Sequence, residues 1–113
     1  NAGMPLPILV RQGQARPIRV EGVPLGLLDH TGYQETAVNL EKGDVFAMFS
    51  DGLLEAANPQ QEEFGSRRLE KILREHAERP GEEILEAVFT EISRFERGRP
   101  RRDDQTLLVI KVQ

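Results

Sequence analysis

A run of five apolar residues constrains the fold of this chain more than any other feature. Val45-Phe46-Ala47-Met48-Phe49 follows the turn-like Lys42-Gly43-Asp44 and precedes Ser50-Asp51-Gly52. A run of this length between turn signals predicts a strand that is buried on both faces. The strand delivers the carboxylate of Asp51 to its own carboxyl end, where Gly52 permits a tight turn.

Other patterns along the chain predict an α+β fold. Hairpin strands are expected on either side of Gln12-Gly13-Gln14, and residues 22–28 are expected to form a buried loop. Strands and helices do not alternate regularly, so a helix pair should cover one face of a mainly antiparallel sheet. The expected elements are strands over 6–11, 16–20, 33–40 and 106–112, a short helix over 53–57, and longer helices beginning near Ser66 and Pro80.

The composition limits what kind of protein this is. The 113 residues suit one domain or a piece of one, and the formal charge of −4 argues against a general nucleic-acid binder. There is no cysteine and there are two histidines, which excludes thiolate and His-rich zinc sites. Any metal would therefore bind carboxylates, which favours Mg²⁺ or Mn²⁺. No apolar run approaches a bilayer span, so a cytoplasmic location without membrane contact is expected.

Two acidic features stand where strands end or begin. A carboxylate at the end of a buried strand needs a cation or several donors, which makes Asp51 a candidate metal ligand, although it can instead cap the helix that follows. Asp103 and Asp104 directly precede the strand over 106–112, and two adjacent carboxylates repel each other unless a cation lies close. The alternative for this pair is a solvated turn neutralised by Arg101 and Arg102.

The two acidic features are more informative when they are considered together. If the strands over 45–49 and 106–112 are antiparallel neighbours, the end of one meets the start of the other. Asp51 and Asp103 then converge from opposite directions, as a hard-cation site requires. This strand pairing is an assumption at the level of the sequence.

A series of short motifs resembles the SpoIIE/RsbU-type serine phosphatases of the type 2C-like, metal-dependent superfamily. The motifs occur in family order and cover nearly the whole chain. They are Asn1-Ala2-Gly3-Met4-Pro5, Pro24-Leu25-Gly26-Leu27, Lys42-Gly43-Asp44, Ser50-Asp51-Gly52-Leu53-Leu54-Glu55-Ala56, Phe64-Gly65 and Asp103-Asp104-Gln105-Thr106. Met4 stands where many relatives have His.

The resemblance implies an α-β-β-α sandwich with a two-metal site, holding Mn²⁺ or Mg²⁺, in the cleft between the sheets. There, water attacks the phosphorus of phosphoserine or phosphothreonine in line. By resemblance Asp51 and Asp103 match metal ligands, and Asp104, next to the second of them, is a further candidate ligand. Gly3 and Gly52 match backbone positions near the site. Arg101 and Arg102 are weaker candidates for gripping the substrate phosphate, and His30 reads as an exposed loop residue.

The resemblance also implies that residues 1–113 are the carboxyl-terminal portion of the phosphatase domain. The family's earlier metal-binding carboxylates belong to an amino-terminal half, so this portion alone is expected to be inactive. The expected substrate is a phosphorylated bacterial regulator of the anti-sigma-factor antagonist type. A homodimer and an upstream sensor or receiver domain are the other expected partners.

Two other functions compete with the phosphatase. One is a phosphatase-like module that binds a protein without catalysis. The other is an unrelated α+β domain in which Asp51 merely caps a helix, and a large separation of Asp51 from Asp103 would favour it.

Overall fold

A four-stranded antiparallel sheet forms the centre of the structure. The computed structural model describes residues 1–20, 22, 24–29 and 32–113. The strands lie in the order β2-β1-β3-β4. They are β1 (Ile8–Arg11), β2 (Gln14–Pro17), β3 (Val45–Phe49) and β4 (Leu107–Lys111), and the helices are α1 (Asp51–Leu54), α2 (Gly65–Glu75) and α3 (Gly81–Glu96).

Helices α2 and α3 cover one face of the sheet and bury the core against it. Alternate strand residues point to this face, because side chains in a strand alternate between the two sides. The helices contribute their apolar stripes, with Ile84, Val88 and Ile92 of α3 fully buried. The core includes Ile8, Val10, Val45, Ala47, Phe49, Leu53, Leu69, Leu73, Ile84, Val88 and Ile92. The predicted α+β fold, with a helix pair on a mainly antiparallel sheet, is therefore confirmed.

The opposite face of the sheet is covered at Leu9 of β1 but open towards β4, which corrects the prediction that Val45–Phe49 is buried on both faces. Met48 is 38% exposed, and its neighbours on β4, Leu108 and Ile110, are 48% and 41% exposed. Met48 pairs with Leu108 and Phe46 with Ile110, so these apolar side chains form one continuous surface. A continuous apolar run predicts a strand but does not show that this chain covers both of its faces.

Two other predictions are wrong. Residues 33–40 form no strand, because this segment does not pair with an edge of the sheet. The loose alternation of apolar and polar residues is typical of a strand, but a strand also needs a neighbouring strand to hydrogen-bond with, and this segment has none in the sheet. In the predicted buried loop 22–28, Leu25, Leu27 and Leu28 are 77%, 64% and 59% exposed. His30 lies outside the described residues. Within the described ranges, no helix combines the length and the apolar character of a membrane span.

A buried ion pair ties β1 to the start of β3. The Asp44 side chain is 2% exposed, and it accepts hydrogen bonds from Arg11 Nε at 3.0 Å and Arg11 Nη2 at 2.6 Å. The Glu41 backbone N–H donates to the same carboxylate at 2.7 Å. Arg11 also donates to the Asn39 carbonyl oxygen, so the pair is built into the chain around it. The hydrogen bond from Arg11, foremost, holds the pKa of Asp44 below its usual range.

We expect Asp44→Asn to destabilise the fold at neutral pH by about 2 kcal/mol, because hydrogen bonds to a charged group are lost. Since the pKa of Asp44 is lower in the folded state, its stabilisation is complete above its unfolded pKa of about 3.9 and is lost as the pH falls through the folded value. Urea unfolding of the full-length protein between pH 7 and pH 3 measures both effects. The difference in the free energy of unfolding between wild type and Asp44→Asn should become smaller as the pH falls.

Glu41→Gln is the matched control for this pair. The Glu41 carboxylate also approaches Arg11, at 3.5 Å, but it is 65% exposed. An exposed ion pair contributes little, so this variant should unfold like the wild type. A difference in the free energy of unfolding between wild type and Asp44→Asn that stays constant down to pH 3 would contradict the lowered pKa of Asp44.

Candidate functional site

The end of β3 and the start of β4 lie side by side. The two strands are antiparallel, and the ladder runs from Val45 opposite Lys111 to Phe49 opposite Leu107. One step beyond the ladder, the Ser50 backbone N–H donates to the Thr106 carbonyl oxygen at 3.1 Å. The strand pairing that was assumed from the sequence is therefore present, and it brings residues 50–52 against residues 103–106.

The side chain of Ser50 fastens these two segments together. Its Oγ donates to the Asp104 carbonyl oxygen at 3.2 Å and accepts from the Thr106 backbone N–H at 3.0 Å. Together with the Ser50 backbone bond, this makes three hydrogen bonds from one residue to the segment before β4. This role of Ser50 is not predictable from the sequence, because its partners are more than fifty residues away.

Gly52 allows the two segments to touch. It is buried, and a Cβ atom at this position would overlap the Asp104 carbonyl oxygen and would lie 3.2 Å from the Asp103 Cβ. Only a residue without a side chain fits this approach. Gly52 thereby brings the backbone that follows Asp51 against the backbone of Asp103 and Asp104.

Asp51 does not cap a helix. It is the first residue of α1, and the N-cap position belongs to Ser50, whose side chain makes no capping hydrogen bond. The Asp51 side chain is exposed, and it has no hydrogen-bond partner in the described part of the chain. The helix-cap alternative is therefore wrong. The expectation that burial makes this carboxylate need a cation is also corrected, because the Asp51 side chain lies in solvent in the first turn of α1.

Asp103 and Asp104 are also exposed, in a turn that the arginines do not neutralise. The Asp104 backbone N–H donates to Asp103 Oδ1 at 2.8 Å. Arg102 Nη2 instead donates to Gln61 Oε1 at 2.7 Å, in the loop after α1. Among the residues that the structure describes, no ion pair joins either aspartate to Arg101 or Arg102. The alternative of a turn neutralised by these arginines is not observed.

Gly3 belongs to a tight turn at the start of the chain. Its φ is +89°, and a Cβ atom would lie 2.7 Å from Pro24 Cγ. Asn1 closes the turn, since its Oδ1 accepts from the Met4 backbone N–H at 2.9 Å. Asn1 and Met4 line a cavity of about 490 Å³ together with Phe49, the last residue of β3. The first family-like motif therefore lies on the side of the sheet where β3 ends.

The donors at this edge suit a hard divalent cation but do not form a complete binding site. Asp51, Asp103 and Asp104 offer only carboxylate oxygens, which are the ligands that Mg²⁺ and Mn²⁺ prefer. In the described ranges, however, no three histidine or acidic side chains are grouped closely enough to hold an ion. Mg²⁺ is commonly bound through one or two protein carboxylates plus waters and substrate, so the three aspartates fit part of such a site.

Comparison with known proteins gives one family. The family model of Stage II sporulation protein E (SpoIIE) matches residues 1–113. The chain is 27% identical over 95 residues to "Phosphoserine phosphatase RsbU" of Bacillus subtilis (strain 168), covering 83% of this chain and 28% of that relative. Among solved structures, the SiaA-PP2C domain of Pseudomonas aeruginosa superposes with a TM-score of 0.82 at 26% identity, covering 99% of this chain and 44% of that one.

The PP2C phosphatase domain of SpoIIE from Bacillus subtilis also superposes, with a TM-score of 0.77 at 21% identity over 98% of this chain and 32% of that one. This likeness shows the shared fold. The chain spans less than half the length of each of these relatives. Because the family model matches every residue and the fold is that of PP2C domains, the chain belongs to the SpoIIE family of PP2C-like phosphatases.

Proposed function

We propose that this chain is the carboxyl-terminal portion of a metal-dependent protein serine/threonine phosphatase domain. The observation that carries the proposal is the contact at Gly52, which places Asp51 at the end of β3 beside Asp103 and Asp104 at the start of β4. Three exposed carboxylates, none of them in an ion pair within the described ranges, thus share one edge of the sheet. The family membership and the relative named a phosphoserine phosphatase support the same activity.

In this function Asp51 and Asp103 bind a divalent cation, and Asp104 stands beside them as a further oxygen donor. A two-metal site supplies an activated water nucleophile and neutralises the charge that develops on the phosphoryl oxygens. The residues of this chain hold the two carboxylate segments at a fixed separation. Ser50 fixes them by hydrogen bonds, and Gly52 by its lack of a side chain.

The open face of the sheet supports the proposal that further parts of the domain lie outside these residues. Met48, Leu108 and Ile110 form an exposed apolar surface on the side opposite α2 and α3. In an α-β-β-α sandwich, a second sheet packs on this face and supplies the remaining metal ligands. The three aspartates are too few to hold two ions, so this portion alone should be inactive.

The proposed substrate is a phosphorylated regulatory protein of the anti-sigma-factor antagonist type, acted on in bacterial signal transduction in the cytoplasm. An upstream sensor or receiver domain and a homodimer are the proposed partners. Family membership supports this assignment. The chain's net charge of −4 gives no general affinity for nucleic acid.

The test is hydrolysis of a phosphoserine protein by the full-length protein. Phosphate release should require Mn²⁺ or Mg²⁺, stop when EDTA removes the metal, and return when Mn²⁺ is restored. The 113-residue chain alone should release no phosphate under the same conditions. If the full-length protein bound the phosphoprotein but released no phosphate with any divalent metal, the non-catalytic binding module would replace the phosphatase.

Arg101 and Arg102 are the proposed contacts for the substrate phosphate. Both are exposed beside the acidic turn, and Arg102 is held in place by Gln61. We expect Arg101→Ala to raise KM for the phosphoprotein roughly tenfold with little change in kcat, as for the loss of one charged hydrogen bond. Arg79→Ala, at an exposed arginine between α2 and α3, is the control and should leave KM unchanged. A KM equal to that of the control would remove Arg101 from the substrate site.

A further inference from the structure

A polar pair lies directly behind the acidic turn. Glu96, the last residue of α3, is 6% exposed, and its Oε2 accepts a hydrogen bond from Gln105 Nε2 at 3.2 Å. Gln105 immediately follows Asp103 and Asp104 in the chain. Its other amide atom, Oε1, is buried without a hydrogen-bond partner in the described part of the chain.

The Glu96–Gln105 pair is not expected to stabilise the fold. A carboxylate at the carboxyl end of a helix meets the negative end of the helix dipole, and burial removes it from water. The unpartnered Oε1 of Gln105 adds the cost of a buried polar atom that lacks a partner. Apolar residues of similar size would fill the same space without these costs. The usefulness of the pair must therefore come from where it lies.

The pair completes the attachment of the acidic turn. On one side, Ser50 Oγ donates to the Asp104 carbonyl oxygen, and Ser50 is part of the strand end that carries Asp51. On the other side, the Gln105 side chain is bonded to Glu96 at the end of α3. Two consecutive residues, Asp104 and Gln105, are thus held by two different elements. The turn is fixed between β3 and α3 rather than hanging from β4 alone.

We propose that Gln105 is a positioning residue for the metal site, holding the Asp103–Asp104 turn against α3 through its hydrogen bond to Glu96. This inference rests on the proposed phosphatase function. Groups that orient ligands without touching the metal typically contribute 10- to 100-fold to metal affinity. The fixed turn reduces the ordering that the aspartates must undergo when an ion binds.

The test is Mn²⁺ affinity of the full-length protein, measured by titration calorimetry or by electron paramagnetic resonance of free Mn²⁺. Gln105→Ala should weaken Mn²⁺ binding about tenfold. Glu96→Gln keeps an acceptor for Gln105 and should bind nearly as the wild type does. Gln105→Glu places two carboxylates face to face and should weaken binding, and adding Glu96→Gln to it restores a donor–acceptor pair and should recover most of the loss.

Ile92→Val controls for a merely structural effect. Ile92 is fully buried one turn earlier in α3, and this change should lower the midpoint of unfolding through lost core packing without touching the turn. Unfolding in EDTA shows whether it matches Gln105→Ala in stability. Its Mn²⁺ affinity should equal that of the wild type. If Ile92→Val weakened Mn²⁺ binding as much as Gln105→Ala, or if the double variant recovered nothing, the positioning role would be overturned.

The same titrations separate this inference from the proposed function. If the wild type binds Mn²⁺ and Asp51→Asn abolishes binding while Gln105→Ala binds normally, the metal site stands and the positioning role fails. If the wild type itself binds no divalent metal, the proposed function fails, and the positioning role fails with it.

Discussion

Asp51→Asn should abolish the phosphatase activity of the full-length protein while leaving its fold intact. The side chain is exposed and has no hydrogen-bond partner in the described ranges, so replacing the carboxylate with an amide removes no structural contact. Asparagine is neutral and a weaker ligand for a hard cation. We expect kcat/KM to fall about 100-fold or more, equivalent to about 2.7 kcal/mol of transition-state stabilisation. Phosphate release from a phosphoserine protein measures the loss of activity, and urea unfolding in EDTA measures whether the fold is intact.

Asp29→Asn is the matched control, since Asp29 is another exposed aspartate in the described part of the chain. It should retain full activity and full Mn²⁺ affinity. Excess Mn²⁺ should rescue Asp51→Asn only partly, because a ligand is missing rather than misplaced. Activity of Asp51→Asn equal to that of Asp29→Asn would mean that Asp51 binds no metal that matters to the reaction.

The local features of the site were predictable because each depends on residues that are adjacent in the sequence. The apolar run before Asp51 predicts the strand, and Gly52 predicts a close approach of backbone. The acidic pair before β4 is equally visible. Whether the two meet depends on strand pairing, which no local pattern specifies. The structure supplies that pairing, which at the level of the sequence was an assumption.

The errors have one physical cause, which is that a pattern of side chains does not show what packs against it. The run Val45–Phe49 is apolar throughout, yet Met48 faces an open surface. Residues 33–40 alternate like a strand, but the ladder of the sheet does not include them. Exposed apolar positions such as Leu25 misled the prediction of a buried loop in the same way.

Long-range polar contacts were beyond the sequence for a different reason. Ser50 and Asp104 are 54 residues apart, and Arg11 and Asp44 are 33 apart. Each contact depends on side-chain rotamers as well as on topology, so the residue type alone permits many partners. Ser50, Gln105 and Glu96 were therefore missed as parts of the site, although Ser50 and Gln105 stand inside motifs that were recognised.

Gly52→Ala should be strongly destabilising. The new Cβ would overlap the Asp104 carbonyl oxygen and would lie 3.0 Å from the Asp104 carbonyl carbon. These are backbone atoms, held by Ser50 and by the β3–β4 ladder, so they cannot move aside like the end of a flexible side chain. Overpacking of this kind costs about 1–3 kcal/mol, and here relief requires the two segments to separate. Mn²⁺ affinity of the full-length protein should therefore fall together with its stability.

Gly81→Ala makes the same chemical change at the start of another helix and isolates the effect of the contact. Gly81 is the first residue of α3, and the nearest atom to an added Cβ is Lys111 Cβ at 3.9 Å, an ordinary van der Waals distance. This variant should be neutral or more stable by about 0.5 kcal/mol, because alanine restricts the unfolded chain. In EDTA, the midpoint of urea unfolding should therefore fall for Gly52→Ala and stay the same or rise for Gly81→Ala. Only Gly52→Ala should lose metal affinity. Equal stability of the two would show that the segments carrying Asp51 and Asp103 do not need to touch, and the metal site proposed between them would lose its geometric basis.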